Sequence, residues 1–206
     1  MVRERYLFIG DSITEWGRFE DDEGIGDNYV RLIRDHLAIT KPEQFPIIIN
    51  RGIGGNRVTD LVERWQEDVI AHQPDLLSIS VGINDVWRQL DNPQMEQVYP
   101  DQFERLYRQL IDQTKAKTGA RIVLMEPTII EEDIQAEGNQ KLKPYVEIIN
   151  KLAKEYELTI VPTHQAFLSY LATSSPYPLT IDGVHTNSAG DYLMARTWLE
   201  ALNLWQ

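Results

Sequence analysis

Tyr6-Leu7-Phe8-Ile9-Gly10-Asp11-Ser12 is the stretch that decides the fold. Its first four residues are apolar, and a short, continuously apolar run suits a strand that is covered on both faces of a sheet. The glycine, aspartate and serine that follow are residues that favour turns. The stretch therefore predicts a buried first strand that ends in a tight turn, with Ser12 just beyond the carboxyl end of the strand.

Four further apolar runs of strand length follow along the chain, and most are rich in β-branched residues. They are residues 47–49, 76–81, 122–125 and 159–161. Apolar residues at helical spacing form one stripe in each of four other stretches, and such a stripe suits a helix that packs on a sheet. These stretches are residues 58–69, 103–111, 142–156 and 189–199. A further helix is expected to begin after a cap at Asp27 or Asn28, and the last helix to begin at Ser188.

This alternation of strands and helices predicts an α/β fold with a parallel sheet and helices on both faces. A chain of 206 residues can bury most of its apolar surface in one core, so we expect a single domain over residues 1–206. Right-handed crossovers place every strand-to-helix loop at one edge of the sheet. In open α/β sheets the ligand site lies at that edge.

The composition excludes several kinds of site. The chain has no cysteine, which excludes disulfides, thiolate nucleophiles and cysteine-based zinc sites. Its four histidines lie far apart and match no metal-ligand spacing, so we expect neither a metal nor a cofactor. The formal net charge of −12 repels nucleic acid and anionic membranes. The expected partner is therefore a neutral small-molecule substrate, with no nucleic acid and no stable membrane association.

Hydropathy along the chain predicts the compartment. No apolar run approaches the ~20 residues that a transmembrane helix needs. The apolar stretch after the first residues lasts only about five residues, which is too short for the core of a signal peptide. We therefore expect a cytoplasmic protein.

Four polar stretches fall at the same predicted edge of the sheet. Three of them follow strands one, two and three, and the fourth precedes the last helix. They are Gly10-Asp11-Ser12, Asn50-Arg51-Gly52-Ile53-Gly54-Gly55-Asn56, Gly82-Ile83-Asn84-Asp85 and Asp182-Gly183-Val184-His185. Each stretch alone is ordinary turn or cap chemistry. Their convergence at one edge is what points to a functional site.

The residue types in these stretches suit nucleophilic catalysis on an ester. A serine hydroxyl such as that of Ser12 becomes a good nucleophile only when a neighbouring base takes its proton. The imidazole of His185 can do this near neutral pH. Its other nitrogen needs a carboxylate to fix the tautomer, and Asp182, three residues earlier, can reach it within one turn.

The oxyanion that forms on the attacked carbonyl needs hydrogen-bond donors that are already in place. The backbone N–H of Ser12 is available in the predicted turn. Gly55 lies in a glycine-rich turn, where the backbone can approach a ligand closely. The side-chain amide of Asn84 can supply a third donor.

At these four stretches the chain resembles the GDSL, or SGNH, hydrolases, whose four letters stand for the Ser, Gly, Asn and His of four sequence blocks. The matching residues are Ser12 in Gly-Asp-Ser-Ile, Gly55 in Gly-Ile-Gly-Gly-Asn, Asn84 in Gly-Ile-Asn-Asp and His185 in Asp-Gly-Val-His. The resemblance implies a flavodoxin-like three-layer sandwich around a five-stranded parallel sheet of order 2-1-3-4-5. It also implies serine esterase or lipase chemistry without a metal, with Asp182 as the acid of the triad.

The sequence departs from the commonest family pattern at two places. Ile13 stands where the short family name has leucine, a mild exchange. After strand five, residues 163–167 stand where many members have an aspartate near an aromatic residue. His164, within that stretch, is expected to have a surface or structural role rather than to line the site. The chain lacks the Gly-x-Ser-x-Gly motif, which argues against the other large class of serine esterases.

Other residues near the four stretches suggest supporting roles. Trp16, Trp87 and Tyr177 are candidates for binding substrate. We expect Asp11 to orient the loop of Ser12, and we expect Arg51 and Asp85 to form a supporting pair. Residues 129–140 are polar and acidic, and they are expected to form a solvated loop, a flexible rim or a lid.

The favoured function is hydrolysis of acetyl or short-chain acyl esters of carbohydrates or small alcohols. A lysophospholipase or an acyl thioesterase would use the same chemistry on the same fold. A non-catalytic ligand-binding module is a different class, and the presence of both Ser12 and His185 disfavours it. A phosphate- or flavin-binding protein could use the glycine and serine after strand one. That function would leave Asn84, Asp182 and His185 unexplained.

Overall fold

The computed structural model of the protein describes residues 3–174 and 176–205. Within them, five strands form one parallel sheet of order β2-β1-β3-β4-β5, which confirms the implied order. The strands are β1 (Arg5–Gly10), β2 (Ile47–Asn50), β3 (Leu76–Ser80), β4 (Arg121–Met125) and β5 (Thr159–Val161). Each lies on an apolar run of the sequence, since a strand covered on both faces needs apolar side chains on both.

Eight α-helices follow or connect the strands of the described chain. They are α1 (Ser12–Glu15), α2 (Tyr29–Thr40), α3 (Val58–Asp68), α4 (Ile83–Asp91), α5 (Pro100–Lys117), α6 (Glu137–Tyr156), α7 (Thr163–Leu171) and α8 (Ser188–Ala201). Short 3₁₀ turns occupy Pro42–Gln44 and Ile70–His72. Helices α2, α7 and α8 pack together on one face of the sheet, and α3, α4, α5 and α6 pack together on the other. The three-layer α/β architecture is therefore confirmed.

The register of the sheet sets where the site can form. Gly10 at the end of β1 pairs with Ser80 at the end of β3, and Phe8 pairs with Asn50 at the end of β2. Because the three strands are parallel, the loops after them leave the sheet at the same edge. The stretches that begin at Asp11, Arg51 and Val81 therefore become neighbours.

The structure contains short helices that periodicity does not detect. Helix α1 has four residues, and α4 and α7 have nine each. So few turns give too little repetition for an apolar stripe to be recognised. The structure also identifies the capping residues of two helices. The Asn28 side chain caps α2 by accepting from the Val30 amide. Asn187 caps α8, which begins at Ser188 as expected. No helix within the described ranges is both long enough and apolar enough to cross a membrane.

Trp198 of α8 fills the centre of the layer between the sheet and helices α2 and α8. Its ring is fully buried and its centroid lies 5.3 Å from that of Phe8 in β1. Its indole N–H donates to the Ser78 hydroxyl of β3 across 3.0 Å. One side chain therefore fastens the last helix to the two central strands.

We expect Trp198→Ala to lower the free energy of unfolding by about 3–5 kcal/mol, because it leaves a large cavity and removes the partner of Ser78. Urea denaturation followed by circular dichroism measures the change. The matched control is Phe19→Ala, which removes an aromatic ring that is 64% exposed and should cost less than about 1 kcal/mol. Equal losses for the two variants would contradict this assignment of the core.

Candidate active site

The loop after β1 presents Ser12 in a tightly constrained turn. Asp11 caps α1, since its carboxylate accepts from the Ile13 amide at 3.0 Å, so the structure contains the expected orienting bond. A β-carbon at Gly10 would lie only 2.4 Å from the Ser80 carbonyl oxygen and 2.5 Å from Thr14 Oγ1. Only glycine therefore allows the chain to turn there and place Ser12 at the first position of α1, where the N–H has no partner within the helix.

Ser12, His185 and Asp182 come together in one hydrogen-bonded series. Ser12 Oγ lies 2.9 Å from His185 Nε2, and His185 Nδ1 lies 2.7 Å from Asp182 Oδ2. These distances suit proton transfer from the serine to the imidazole, with the carboxylate holding the Nδ1–H tautomer. The structure thus brings together the three residues that the sequence predicts as a triad.

The Asp–His hairpin, residues 179–187, carries both partners of the serine. Its two arms pair antiparallel at Thr180 and Thr186, and the Ile181 amide donates to the His185 carbonyl at 2.8 Å. At the tip, Asp182 Oδ1 accepts from the backbone amides of Val184 and His185. Partial burial opposes ionisation of Asp182, but the hydrogen bonds from the His185 ring and these amides outweigh it. The pKa of this carboxyl is therefore lowered, and Asp182 stays charged beside the imidazole.

The loop after β2 and the start of α4 border the serine. A β-carbon at Gly54 would lie 3.9 Å from Ser12 Cβ, which places this loop beside the hydroxyl. The next residue, Gly55, has a φ of +77° and is exposed. Asn84 is buried, and its Nδ2 donates to the Asn56 carbonyl at 3.1 Å. Gly55 and Asn84 are therefore joined through Asn56.

Arg64 of α3 ties the serine turn to the loop after β2. Its guanidinium donates to the Gly10 carbonyl, to the Arg51 carbonyl and to the Asn56 side chain at 2.7–3.0 Å. Asp68, one turn later, accepts from the same guanidinium at 2.7 Å. Arg64 does not stand out in the sequence, because its only local signal is the i, i+4 spacing to Asp68.

The expected pair of Arg51 and Asp85 is wrong. Arg51 instead forms an ion pair with Asp68, and both oxygens of Asp85 accept from the Val58 amide at 3.2 and 3.3 Å. The physical reason is the direction of α3: its first amide faces Asp85, whereas its last turn brings Asp68 to Arg51. Asp85 therefore binds the first amide of α3, and Arg51 binds a carboxylate in its last turn.

Two buried carboxyls beside the site have strongly raised pKa values. Burial raises the pKa of Asp11 to about 7, against the lowering effects of the Ile13 amide and His185. Burial also raises the pKa of Asp85 to about 7, although the Val58 amide and the Arg57 guanidinium oppose the shift. Both groups therefore change charge near neutral pH.

The three candidate substrate-binding aromatics differ in position. Trp16 lies beside the His185 ring with a centroid distance of 5.2 Å, and Trp87 meets the same ring edge-on at 5.7 Å. Tyr177 is exposed, and its amide donates to the Tyr170 hydroxyl of α7. The hydrogen bonds and ring contacts of the described chain do not join Tyr177 to Ser12 or His185. The structure thus brings Trp16 and Trp87 to the site, and places Tyr177 on the approach to the Asp–His hairpin.

His164 is a buried residue of α7, which favours the structural role over the surface role that the sequence also left open. Its Nδ1 lies 2.6 Å from the Thr128 carbonyl oxygen after β4. Across residues 3–174 and 176–205, no group of three or more histidine, aspartate and glutamate side chains is arranged to hold a metal ion.

Residues 129–140 do not form the free polar rim considered from the sequence. Ile129 and Ile130 are fully buried, and α6 begins at Glu137. The Glu131 amide donates to the Gly183 carbonyl of the Asp–His hairpin at 2.7 Å. The side chains of Glu131, Asp133 and Glu137 are exposed, as a solvated loop predicts, whereas the Glu132 carboxylate accepts from the amides of Leu179 and Thr180.

Comparison with known proteins gives consistent matches over nearly the whole chain. The model of the GDSL-like Lipase/Acylhydrolase family matches residues 8–193. An acetylxylan esterase from Geobacillus stearothermophilus is 40% identical over 206 residues, covering 97% of this chain and 94% of that protein. A crystal structure of that esterase matches with a TM-score of 0.87 at 39% identity, covering 97% and 94% of the two chains.

A second solved structure extends the match. An alpha/beta hydrolase enzyme from the metagenome of Lake Arreo, Spain, matches with a TM-score of 0.92 at 32% identity, covering 98% of this chain and 96% of that one. Structures of the Geobacillus esterase also include variants described as catalytic mutants. In these, a serine, an aspartate or a histidine is replaced by alanine.

Asp85→Asn should change how stability depends on pH. The folded pKa of Asp85 lies above its value of about 3.9 in an unfolded chain, so the folded state holds the proton more tightly. The stability that this proton contributes is complete below about pH 4 and is lost as the pH rises to about 7. Asparagine cannot titrate, yet keeps an oxygen for the Val58 amide.

The free energy of unfolding of the wild type, minus that of Asp85→Asn, should therefore fall between about pH 4 and pH 7 and stay level above about pH 8. Urea denaturation at five pH values measures the difference. A difference that is the same at every pH would contradict the raised pKa of Asp85.

Proposed function

The chain belongs to the GDSL-like lipase/acylhydrolase family and is a carboxylic ester hydrolase, and from this premise we propose that it removes acetyl groups from carbohydrates with Ser12 as the nucleophile. One observation carries the assignment of the nucleophile: Ser12 Oγ lies 2.9 Å from His185 Nε2, which is in turn held by Asp182. The assignment is supported by the rings of Trp16 and Trp87, which lie beside the His185 ring.

The proposed reaction uses two displacements. His185 Nε2 takes the Ser12 proton as Oγ attacks the ester carbonyl, and the imidazolium then gives that proton to the departing alcohol oxygen. The C–O bond to the alcohol breaks and an acetyl-serine forms. Water, deprotonated by His185, then attacks the acetyl carbon and releases acetate, and the proton returns to Ser12.

Negative charge on the carbonyl oxygen needs donors during both displacements. We assign this role to the backbone N–H groups of Ser12 and Gly55 and to the Asn84 side chain. The position of the Gly54–Gly55 turn beside Ser12 supports the assignment, as does the hydrogen bond to the Asn56 carbonyl that orients the amide of the buried Asn84. Since Arg64 ties Gly10 and Asn56 together, the two backbone donors are held on one frame.

Acetylated carbohydrate is the proposed substrate class for two reasons. The Geobacillus relative, which matches over 97% of this chain, is an acetylxylan esterase. A neutral sugar also suits a protein of net charge −12, which repels anionic lipid surfaces. Trp16 is 40% exposed next to His185 and offers a flat apolar surface for a sugar ring, with Trp87 as the second wall.

The residue assignments gain support from the relatives. The aspartate and histidine replaced in the catalytic mutants of the Geobacillus esterase are three positions apart, as Asp182 and His185 are. The serine replaced in the third mutant lies near the start of that chain, as Ser12 does here.

We expect Ser12→Ala to lower kcat/KM for p-nitrophenyl acetate by about 10⁴-fold or more, because alanine has no nucleophile. Wild-type rates should fall steadily from acetate to longer acyl esters, and acetylated xylo-oligosaccharide should release acetate. Ser169→Ala, which removes an exposed hydroxyl on α7, is the control and should retain the wild-type rate.

Different outcomes separate the alternatives. A maximum at long acyl chains would keep Ser12 as nucleophile and move the substrate towards lysophospholipids or acyl thioesters. Wild-type rates in folded Ser12→Ala would refute the nucleophile.

Asn84→Ala should lower kcat for p-nitrophenyl acetate by about 10²–10³-fold, because the oxyanion loses one donor. KM should change little, since the donor acts chiefly on charge that develops after binding. The control is Asn92→Ala, an exposed asparagine at the end of α4. If Asn84→Ala raises KM and spares kcat, Asn84 binds substrate rather than stabilising the oxyanion.

A further inference from the structure

The Asp–His hairpin has an energetic difficulty of its own. Its tip must hold His185 within hydrogen-bond distance of Ser12, yet the Asp182 side chain is 47% exposed there. A two-stranded hairpin alone is at best marginally stable in water. Other parts of the chain must therefore hold it still.

Glu132 provides a contact at the base of the hairpin. One oxygen of its carboxylate, Oε1, accepts from the amides of Leu179 and Thr180 at 2.9 and 2.7 Å and from the Thr180 hydroxyl. Leu179 and Thr180 are buried, so water cannot readily replace the carboxylate as the hydrogen-bond acceptor of their amides. A charged acceptor makes these bonds stronger than neutral ones.

The neighbouring residue holds the tip of the same hairpin. The Glu131 amide donates to the Gly183 carbonyl at 2.7 Å, between Asp182 and His185. Glu131 has a φ of +67°, a left-handed conformation that is uncommon for residues other than glycine. The chain therefore adopts a costly turn that directs the Glu131 amide at the tip while Glu132 binds the base.

This bracing segment, residues 130–133, is itself tied to the body of the protein. Asn139, in the first turn of α6, is almost fully buried. Its Oδ1 accepts from the Ile130 amide at 2.9 Å, and its Nδ2 donates to the carbonyls of Glu131 and Asp133 at 3.0 and 2.7 Å. Helix α6 packs on α5 and α4, so the bracing segment rests on a rigid helical layer.

From these contacts we propose that Glu132 is a positioning residue, which latches the Asp–His hairpin so that His185 stays aligned with Ser12. The inference rests on the proposed function of Ser12 and His185. Glu132 touches neither the substrate nor the reacting atoms; it acts through Leu179 and Thr180. Without the latch, the hairpin arm is free to shift, and a misplacement of about 1 Å can cost 10²-fold in rate.

The kinetic test compares variants at Glu132 on p-nitrophenyl acetate. Glu132→Ala should lower kcat by about 10- to 100-fold with KM nearly unchanged, because alignment is lost and the pocket is not. Glu132→Gln should restore most of kcat, since its amide oxygen can accept the same bonds. Glu137→Ala is the matched control: it removes the same charge from the same region, but the Glu137 carboxylate is exposed and, among residues 3–174 and 176–205, pairs only with Lys141.

A second readout reports alignment without turnover. The proton between His185 Nδ1 and Asp182 should give a far-downfield proton resonance in the wild type. Glu132→Ala should broaden or shift it, whereas Glu132→Gln and Glu137→Ala should leave it in place. If Glu132→Ala does not unfold cooperatively in urea, Glu132→Asp replaces it, since the shorter side chain keeps the charge and draws the carboxylate back.

The outcomes are distinct. Wild-type kcat and an unchanged resonance in Glu132→Ala, or in Glu132→Asp where that variant replaces it, would overturn the role of Glu132. An equal loss of kcat in Glu137→Ala would overturn it as well. Failure of the proposed function has a different signature, namely wild-type turnover in Ser12→Ala. The resonance is measured without turnover, so it tests the positioning role of Glu132 even if Ser12 is not the nucleophile.

Discussion

The hydrogen bond between Ser12 Oγ and His185 Nε2 is the contact on which the site depends. It joins residues that are 173 positions apart, so neither partner can be positioned locally. The sheet positions the serine: β1 lies between β2 and β3, and Gly10 fits against Ser80 so closely that the turn has no freedom. The Asp–His hairpin positions His185. It lies between α7 and α8 in the chain. The fold thus supplies two independent rigid supports that meet at one hydrogen bond.

The structure that holds Ser12 and His185 together buries polar groups, and burying them costs stability. Asp11, Asp85 and Asp68 are all buried below the site. Asp68 is compensated by two guanidinium groups, while Asp11 and Asp85 accept backbone amides and have raised pKa values. Buried carboxyls with few partners cost stability. They are tolerated because each fixes a turn that carries Ser12 or starts α3 beside Gly55. These carboxyls thus lower the stability of this edge of the sheet but fix the geometry of the site. Such a compromise is common where a site must be organised before the substrate arrives.

The sequence predicts the sheet well because each strand falls on a short, mostly apolar run, a signal that depends on neighbours in the chain alone. The four polar stretches were likewise placed correctly at one edge by the rules of parallel topology. The features that escaped prediction depend on distant partners. The match of Arg51 with Asp68 follows from the direction of α3. Glu132 and Asn139 look like ordinary polar loop residues until the fold brings backbone amides and carbonyls against them. The helices α1, α4 and α7 are too short for periodicity to reveal.

The same contacts bear on how the site selects its substrate. A mobile lid would need a segment with few fixed contacts. Residues 129–140 instead combine two buried isoleucines, a buried asparagine with three hydrogen bonds and two attachments to the Asp–His hairpin. Opening this segment would disturb His185, the proposed base. In the proposed reaction, fixed walls would therefore select the substrate, and the candidates are Trp16 and Trp87, whose rings lie beside His185. Two flat apolar walls at a sheet edge suit a small acyl group on a sugar ring better than a long flexible chain, which needs an extended apolar groove to bury its length.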